Sequence, residues 1–137
     1  MKTWQVMYVI IWAAFLQILF ILFSPLGDSV DLAVHVPLAA AILVLAFISY
    51  RDVGQTSCPD RIKRITKTTW ALALLQGVLG IALALGVILS WGSLYTSVVG
   101  FLHVGNALAI ITQASSSATA YDMWEEKEFQ TPPPIQH

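Results

Sequence analysis

The chain has 137 residues, of which 57% are apolar and only 11% are charged, and its formal net charge is −1. Soluble domains carry about 25% charged residues, so this composition excludes a soluble globular enzyme and a nucleic-acid-binding protein. The single cysteine, Cys58, cannot form an intramolecular disulfide or a CxxC metal site. A small helical membrane domain is the class that remains.

Four apolar blocks follow one another along the chain, each near the ~20 residues that cross a bilayer. We predict membrane spans at about residues 6–23, 32–50, 69–90 and 97–121. Helices are the expected spanning elements because lipid cannot satisfy exposed backbone polar groups. The predicted fold is an all-α, four-helix transmembrane bundle in residues 1–121. An acidic, proline-rich tail at 122–137 is expected to be extended.

The basic residues predict the orientation of the bundle. All seven lie on one side of it, at Lys2, Arg51, Arg61, Lys63, Arg64, Lys67 and Lys127. By the positive-inside rule, both termini and a middle loop at 51–68 face the cytoplasm of a prokaryotic-type cell membrane. Trp and Tyr residues at both predicted interfaces are typical of aromatic belts.

Two histidines are the main candidates for chemistry, because residues that ligate or titrate are rare inside membranes. His35 lies near the outer end of the second span, which ends before Arg51, and His103 near the outer end of the fourth, which ends before Asp122. At a rise of ~1.5 Å per residue they lie ~24 and ~28 Å from the inner interface, so their depths match. Because histidines on two helices of a bundle can hold a heme iron between them, we predict His35 and His103 as axial ligands. The alternative for His35 is a solvated helix start, since Pro37 follows it closely.

Small residues near the histidines favour space for a flat ring. Those that share a face with a histidine are Ala39, Gly100 and Ala107. The third span carries a stripe of small residues at Ala73, Gly77, Gly80 and Ala84. Such a stripe is by default a helix-packing signal. Its functional alternative is that Gly77 or Gly80 leaves room for a tetrapyrrole.

A polar stripe follows one face of the fourth span, formed by His103, Asn106, Gln113 and Ser117. Interhelical hydrogen bonds are its simplest interpretation. The alternative is that Asn106 or Gln113 contacts a cofactor or a quinone.

Four other polar residues are assigned simpler roles. Gln17 and Gln76, in the first and third spans, are expected to form packing contacts rather than to ligate. Asp28 and Asp31 are expected to be solvated residues of the first outer turn, with action at a heme edge as the alternative.

The pattern resembles a known family. Histidines near the outer ends of spans two and four, LLQGVLGIALAL in span three and FLHVGNALAII in span four resemble one four-helix half of a heme A synthase. The resemblance covers about residues 5–121 and implies that His35 and His103 are heme ligands. The family has a glutamate one helical turn before the second-span histidine and an arginine directly after it. Leu32 and Val36 stand at those positions here.

Three functions follow from these features. The first is a bis-histidine cytochrome, with a b-type heme, acting as an electron-transport accessory subunit of a respiratory complex such as a terminal oxidase. The second is a single-half heme A synthase that oxidises heme O to heme A. The third is a cofactor-free structural subunit. Expected partners are the lipid bilayer and other membrane subunits, or further copies of the same chain.

Overall fold

The computed structural model of the chain describes residues 2–23 and 28–130. These ranges contain four helices: α1 Thr3–Phe23, α2 Asp28–Gly54, α3 Asp60–Ile88 and α4 Ser93–Gln130. All four are long and apolar enough to cross a membrane. The prediction of an all-helical, membrane-compatible four-helix bundle is confirmed.

The helices extend beyond the predicted spans. The expected loop at 51–68 is wrong, because α2 continues to Gly54 and α3 already begins at Asp60. The expected extended chain after residue 121 is wrong for residues 122–130, which continue α4; residues 131–137 lie outside the described ranges. Hydropathy marks where an apolar run ends, whereas Glu, Lys, Met and Arg propagate a helix well beyond it.

The helices form a ring in which each one packs against two neighbours. Contacts join α1 to α2, α2 to α3, α3 to α4 and α4 to α1, so α2 and α4 lie on a diagonal. We call the end where α1 and α3 begin the termini end, and the end where α2 and α4 begin the turn end. Successive helices are antiparallel, as the short connections predict.

The hydrophobic core lies mostly at the termini end. One buried cluster consists of Val6, Ile10, Ala13, Ala14, Ile42, Ala46, Ala73, Ile110 and Ala114. A second cluster, nearer that end, consists of Met7, Val53, Cys58, Ile62, Ala118 and Tyr121. Alanine lets the helix backbones approach closely, and the stacked rings of Tyr50 and Trp70, 5.2 Å apart, close one side.

The turn end is packed much less tightly. This end comprises the residues after Gln17 on α1, before Ile42 on α2, after Ala73 on α3 and before Asn106 on α4. Among the described residues of this part, only Asp31 and Gly86 are buried. The bundle is therefore a closed core at one end and a looser ring of helices at the other.

A short turn connects α3 to α4. The amide of Trp91 donates to the carbonyl of Gly86, and the amide of Ser90 donates to that of Val87, which is the pair of bonds that defines a Schellman helix end. The ring of Tyr95 lies over Gly86, where a Cβ atom would overlap it. Its hydroxyl donates to the carbonyl of Ala82 at 3.2 Å. This hairpin fixes the register of α4 against α3.

Candidate functional site

The two predicted histidines meet inside the bundle. His35 projects from α2 and His103 from α4, and their ring centroids lie 6.1 Å apart with the ring planes tilted by 49°. Their helices are diagonal and make no backbone contact, so the side chains alone bridge the centre. The Nδ1 atoms of both rings are buried and have no hydrogen-bond partner among the described residues.

A hydrogen-bonded network holds His103 against α3. The side-chain nitrogen of Gln76 lies 3.1 Å from Nε2 of His103. Asn106 donates through Nδ2 to Oε1 of Gln76 at 2.7 Å and to the carbonyl of Leu72 at 2.9 Å. Asn106 is one turn after His103 on α4, so one face of that helix supplies both groups. The position of the His103 ring is thus set by two amide side chains.

His35 is positioned through its backbone. Gln17 on α1 donates to the His35 carbonyl at 3.1 Å, which agrees with its predicted packing role. Pro37 lies inside α2, more than two turns after the helix begins at Asp28, so the alternative of a helix start at His35 is wrong. Pro37 has no N–H group to donate to the carbonyl of Ala33, four residues earlier, and the bond from Gln17 reaches the His35 carbonyl in the same turn.

The structure places Asp31 elsewhere than the sequence predicted. It was predicted to be a solvated turn residue, but it lies within α2 and is only 3% exposed. It precedes His35 by one helical turn, so the two side chains share a face of the helix. Leu32, at the family's glutamate position, is 59% exposed. The inward acidic residue at this level is therefore Asp31. The side chain of Asp28 lies outside the described part of the chain.

The small residues that were predicted to line the site differ in their surroundings. A Cβ atom on Gly80 would lie 3.3 Å from Cε1 of His103, so Gly80 borders the ring directly. Gly77 and Gly100 have open space, since a Cβ atom on either would meet nothing within 4 Å. Ala39 and Ala107 are half-buried. That all of them contact a cofactor stays a prediction.

The small-residue stripe of α3 is only partly a packing surface. Ala73 is buried in the core and Gly80 faces His103, but Gly77 and Ala84 are exposed. Packing by the whole stripe is wrong, because two of its members lie outside the buried face of α3.

The polar stripe of α4 connects the helix mainly to α3. Beyond the bonds of Asn106, the hydroxyl of Ser117 lies 2.6 Å from that of Thr66, and both residues are buried. Gln113 is half-buried. Interhelical hydrogen bonding, the simpler interpretation, is confirmed for Asn106 and Ser117. Contact of Asn106 or Gln113 with a quinone stays a prediction.

A shallow groove of about 360 Å³ lies between α3 and α4. Its lining is apolar apart from one amide, and consists of Leu75, Leu79, Phe101, Leu102, Gly105 and Asn106. Asn106 is shared between this groove and the network around His103. The groove therefore borders the network around His103 on the outer surface of the hairpin.

Gln76 is the functional candidate that sequence reasoning missed. Its hydrogen bonds to α4 agree with the predicted packing role, but its direct partnership with His103 was not predicted. The available signal was the antiparallel pairing of α3 and α4, because Gln76 precedes Ser90 along the chain by almost as much as His103 follows it. Residues at equal distance from a tight turn face each other across a helical hairpin.

Comparison with known proteins gives no match, whether to a family model, a curated protein or a solved structure. The resemblance to heme A synthases thus remains a prediction from short motifs. Within the described ranges, no three His, Cys, Asp or Glu residues form a metal-binding group. The candidate site consists of two facing histidines and the amides that hold one of them.

Proposed function

We propose that the protein is a membrane cytochrome in which His35 and His103 are the two axial ligands of a b-type heme. The juxtaposition of these rings, 6.1 Å apart across the diagonal of the bundle, is the observation that carries the proposal. A histidine nitrogen bonds a transition metal at about 2 Å. Two ligands on opposite sides of one ion therefore have nitrogens about 4 Å apart, and their ring centroids lie somewhat further apart.

The residues around the rings fit such a group. Gly80 presents backbone rather than a side chain to His103, and the turn end of the bundle leaves the rings less enclosed than the core residues. One condition follows from the network: Gln76 must release Nε2 of His103 before that nitrogen can bind iron. Gln17 and Gln76 would position the ligands, and a bound heme supplies one-electron chemistry.

The role that best suits a small heme protein of this kind is that of an accessory subunit in a respiratory complex, specifically a terminal oxidase. Large apolar side chains are exposed on all four helices, for example Trp12, Phe47, Ile81 and Phe101. Lipid or other membrane subunits would cover this surface. Both termini would lie in the cytoplasm of a prokaryotic cell, as the basic residues predict.

The test of the heme proposal is a reduced-minus-oxidised visible spectrum of the purified protein, followed by heme extraction. We expect a low-spin bis-histidine spectrum in the wild type and its loss in His103→Ala and His35→Ala. His137→Ala, at the end of the chain, is the matched control and should leave the spectrum unchanged. A wild-type protein purified from heme-replete cells without any heme spectrum would favour the cofactor-free subunit.

Partner subunits are tested by gentle detergent extraction, a native gel and mass spectrometry. If the chain is an accessory subunit, it comigrates with the subunits of a respiratory oxidase. Migration as a lone chain or as a homo-oligomer would contradict this part of the proposal without affecting heme binding.

A single-half heme A synthase is the second candidate, and the burial of Asp31 favours it. This carboxylate lies one helical turn before His35 on the same face, where it is the nearest counterpart of the family's glutamate. The test is expression in a host that makes heme O but lacks its own synthase. Formation of heme A that is lost in Asp31→Asn would support this candidate. Absence of heme A, with the cytochrome spectrum present, would contradict it.

A further inference from the structure

The directions of the hydrogen bonds around His103 follow from one group whose role is fixed, the backbone carbonyl of Leu72. The carbonyl oxygen of Leu72 can only accept, so the atom of Asn106 that lies 2.9 Å away is its amide nitrogen. The same nitrogen lies 2.7 Å from Gln76, which must therefore present its oxygen. The other end of the Gln76 amide is then its nitrogen, and it faces Nε2 of His103 at 3.1 Å.

An amide nitrogen has no acceptor capacity, so Nε2 of His103 accepts this bond through its lone pair. A neutral imidazole carries a single N–H group, which is then on Nδ1. From these donor and acceptor roles we infer that Gln76 is a positioning residue that holds His103 as the Nδ1–H tautomer, so that Nε2 carries a lone pair rather than a proton, as ligation of a heme iron requires. The tautomer assignment depends only on the hydrogen-bonded network. Binding of iron by the Nε2 lone pair depends on the proposed heme function.

The inferred tautomer suits ligation through Nε2. A metal-bound histidine nitrogen must be unprotonated, and the tautomer is set by the bond that the protein makes to the ring. Here the amide of Gln76 occupies the same lone pair that iron would take, so the ring needs no proton transfer on heme loading. Only the Gln76 hydrogen bond has to break.

One nearly isosteric substitution, Gln76→Glu, should reverse the donor and acceptor roles in the bond to His103. In Gln76→Glu the ionised carboxylate offers only acceptors, so it still accepts from Asn106 but now requires a proton on Nε2 of His103. The lone pair that would bind iron is lost. Gln113→Glu introduces the same charge on the neighbouring helix and is the matched control.

The decisive measurement is the histidine tautomer in the heme-free protein, read by NMR of the detergent-solubilised chain labelled with ¹⁵N-histidine. His35→Ala and His137→Ala identify the His103 signals by elimination. We expect a protonated Nδ1 and an unprotonated Nε2 in the wild type and in Gln113→Glu, and a protonated Nε2 in Gln76→Glu. A protonated Nε2 in the wild type, or no change in Gln76→Glu at a pH where its carboxylate is ionised, would overturn the tautomer assignment.

Asn106→Leu provides a second variant in case Gln76→Glu does not fold. It removes the group that orients the Gln76 amide, so the His103 signals should shift towards a mixture of tautomers. Retention of a pure Nδ1–H form in Asn106→Leu would show that the network does not set the proton position.

Titration of the heme-free protein with hemin tests whether the Nε2 lone pair of His103 binds heme iron. Gln76→Glu should bind hemin more weakly than the wild type. If the wild type binds hemin but Gln76→Glu binds equally well, the inference fails and the heme proposal stands. If the wild type binds no hemin, the heme proposal fails and the NMR result still decides the tautomer.

Discussion

Ser90 ends α3 in a backbone conformation that its own side chain disfavours. Its φ angle is 55°, and it is the only residue other than glycine with a positive φ in the described ranges. The Schellman motif requires this left-handed conformation at the position after the helix end, which glycine usually occupies. A left-handed residue with a Cβ atom costs about 1–2 kcal/mol relative to the right-handed form.

Replacing Ser90 with glycine should therefore stabilise the protein. We expect Ser90→Gly to raise the free energy of unfolding by about 0.5–1 kcal/mol, because relief of strain exceeds the greater freedom of glycine in the unfolded chain. Unfolding by SDS in mixed micelles is the measurement. Ser93→Gly, within the first turn of α4, is the control and should not stabilise. Unfolding of Ser90→Gly at a lower SDS fraction than wild type would contradict the prediction.

Residue by residue, the sequence predicted the histidine pair and pointed to Gly80 and Asn106 near it, but not the partnership of Gln76 with His103 or the burial of Asp31. Depth is set by position along a helix, which is why His35 and His103 could be matched. The direction of a side chain depends on where its helix begins. The apolar run of the second span predicts a later start than that of the hydrogen-bonded helix α2. Asp31 was therefore assigned to a turn although it is an inward-facing residue of α2.

At the scale of helices, the α3–α4 hairpin is held together by several side-chain hydrogen bonds. Its polar contacts join residues at nearly equal distances along the chain from Ser90, with Thr66 before the turn and Ser117 after it. Their hydroxyls lie 2.6 Å apart, while Gln76 and Asn106 make the corresponding contact nearer the turn. Antiparallel pairing around a tight turn is predictable from sequence, whereas the rotation of each helix depends on contacts with α1 and α2.

The Thr66–Ser117 contact should contribute measurably to association of these helices. In a double-mutant cycle with Thr66→Val and Ser117→Ala, we expect a coupling energy of about 0.6 kcal/mol and not more than ~1.7 kcal/mol, as for other hydrogen bonds between membrane helices. The same SDS unfolding measurement applies.

A matched control for this cycle lies on the same two helices. The hydroxyls of Thr68 and Ser116 each bond to a carbonyl of their own helix. The cycle between Thr68→Val and Ser116→Ala should be additive. Additive effects for the Thr66 and Ser117 pair as well would show that their contact does not couple the helices.

At the scale of the whole molecule, packing and charge are both asymmetric. The termini end holds the two core clusters, and all seven basic residues lie near it, at helix ends or beside them. The turn end has few buried side chains among the described residues and no Lys or Arg. The positions of the basic residues along the sequence predicted the charge asymmetry directly. The packing asymmetry depends on which helix faces meet, and the apolar spans give little indication of this because most of their faces are hydrophobic.

The charge asymmetry predicts the orientation in the membrane. The positive-inside rule predicts that the termini end faces the cytoplasm, so a cysteine at Ser93 should be labelled by a membrane-impermeant maleimide in intact cells and one at Gln55 should not. Ser93 and Gln55 are both exposed and uncharged, at opposite ends of the bundle. The variants Ser93→Cys and Gln55→Cys therefore form a matched pair.

Native Cys58 is not a suitable reporter of this orientation, because it is only 3% exposed and packs in the core of the termini end. It should resist labelling from either side until the protein is denatured, so both reporters belong in a Cys58→Ala background. Cell lysis should make Gln55→Cys as reactive as Ser93→Cys, which shows that its protection came from the membrane rather than from burial. Labelling of Gln55→Cys but not Ser93→Cys in intact cells would invert the orientation. The histidine pair, which lies towards the turn end, would then be nearer the cytoplasmic than the external surface.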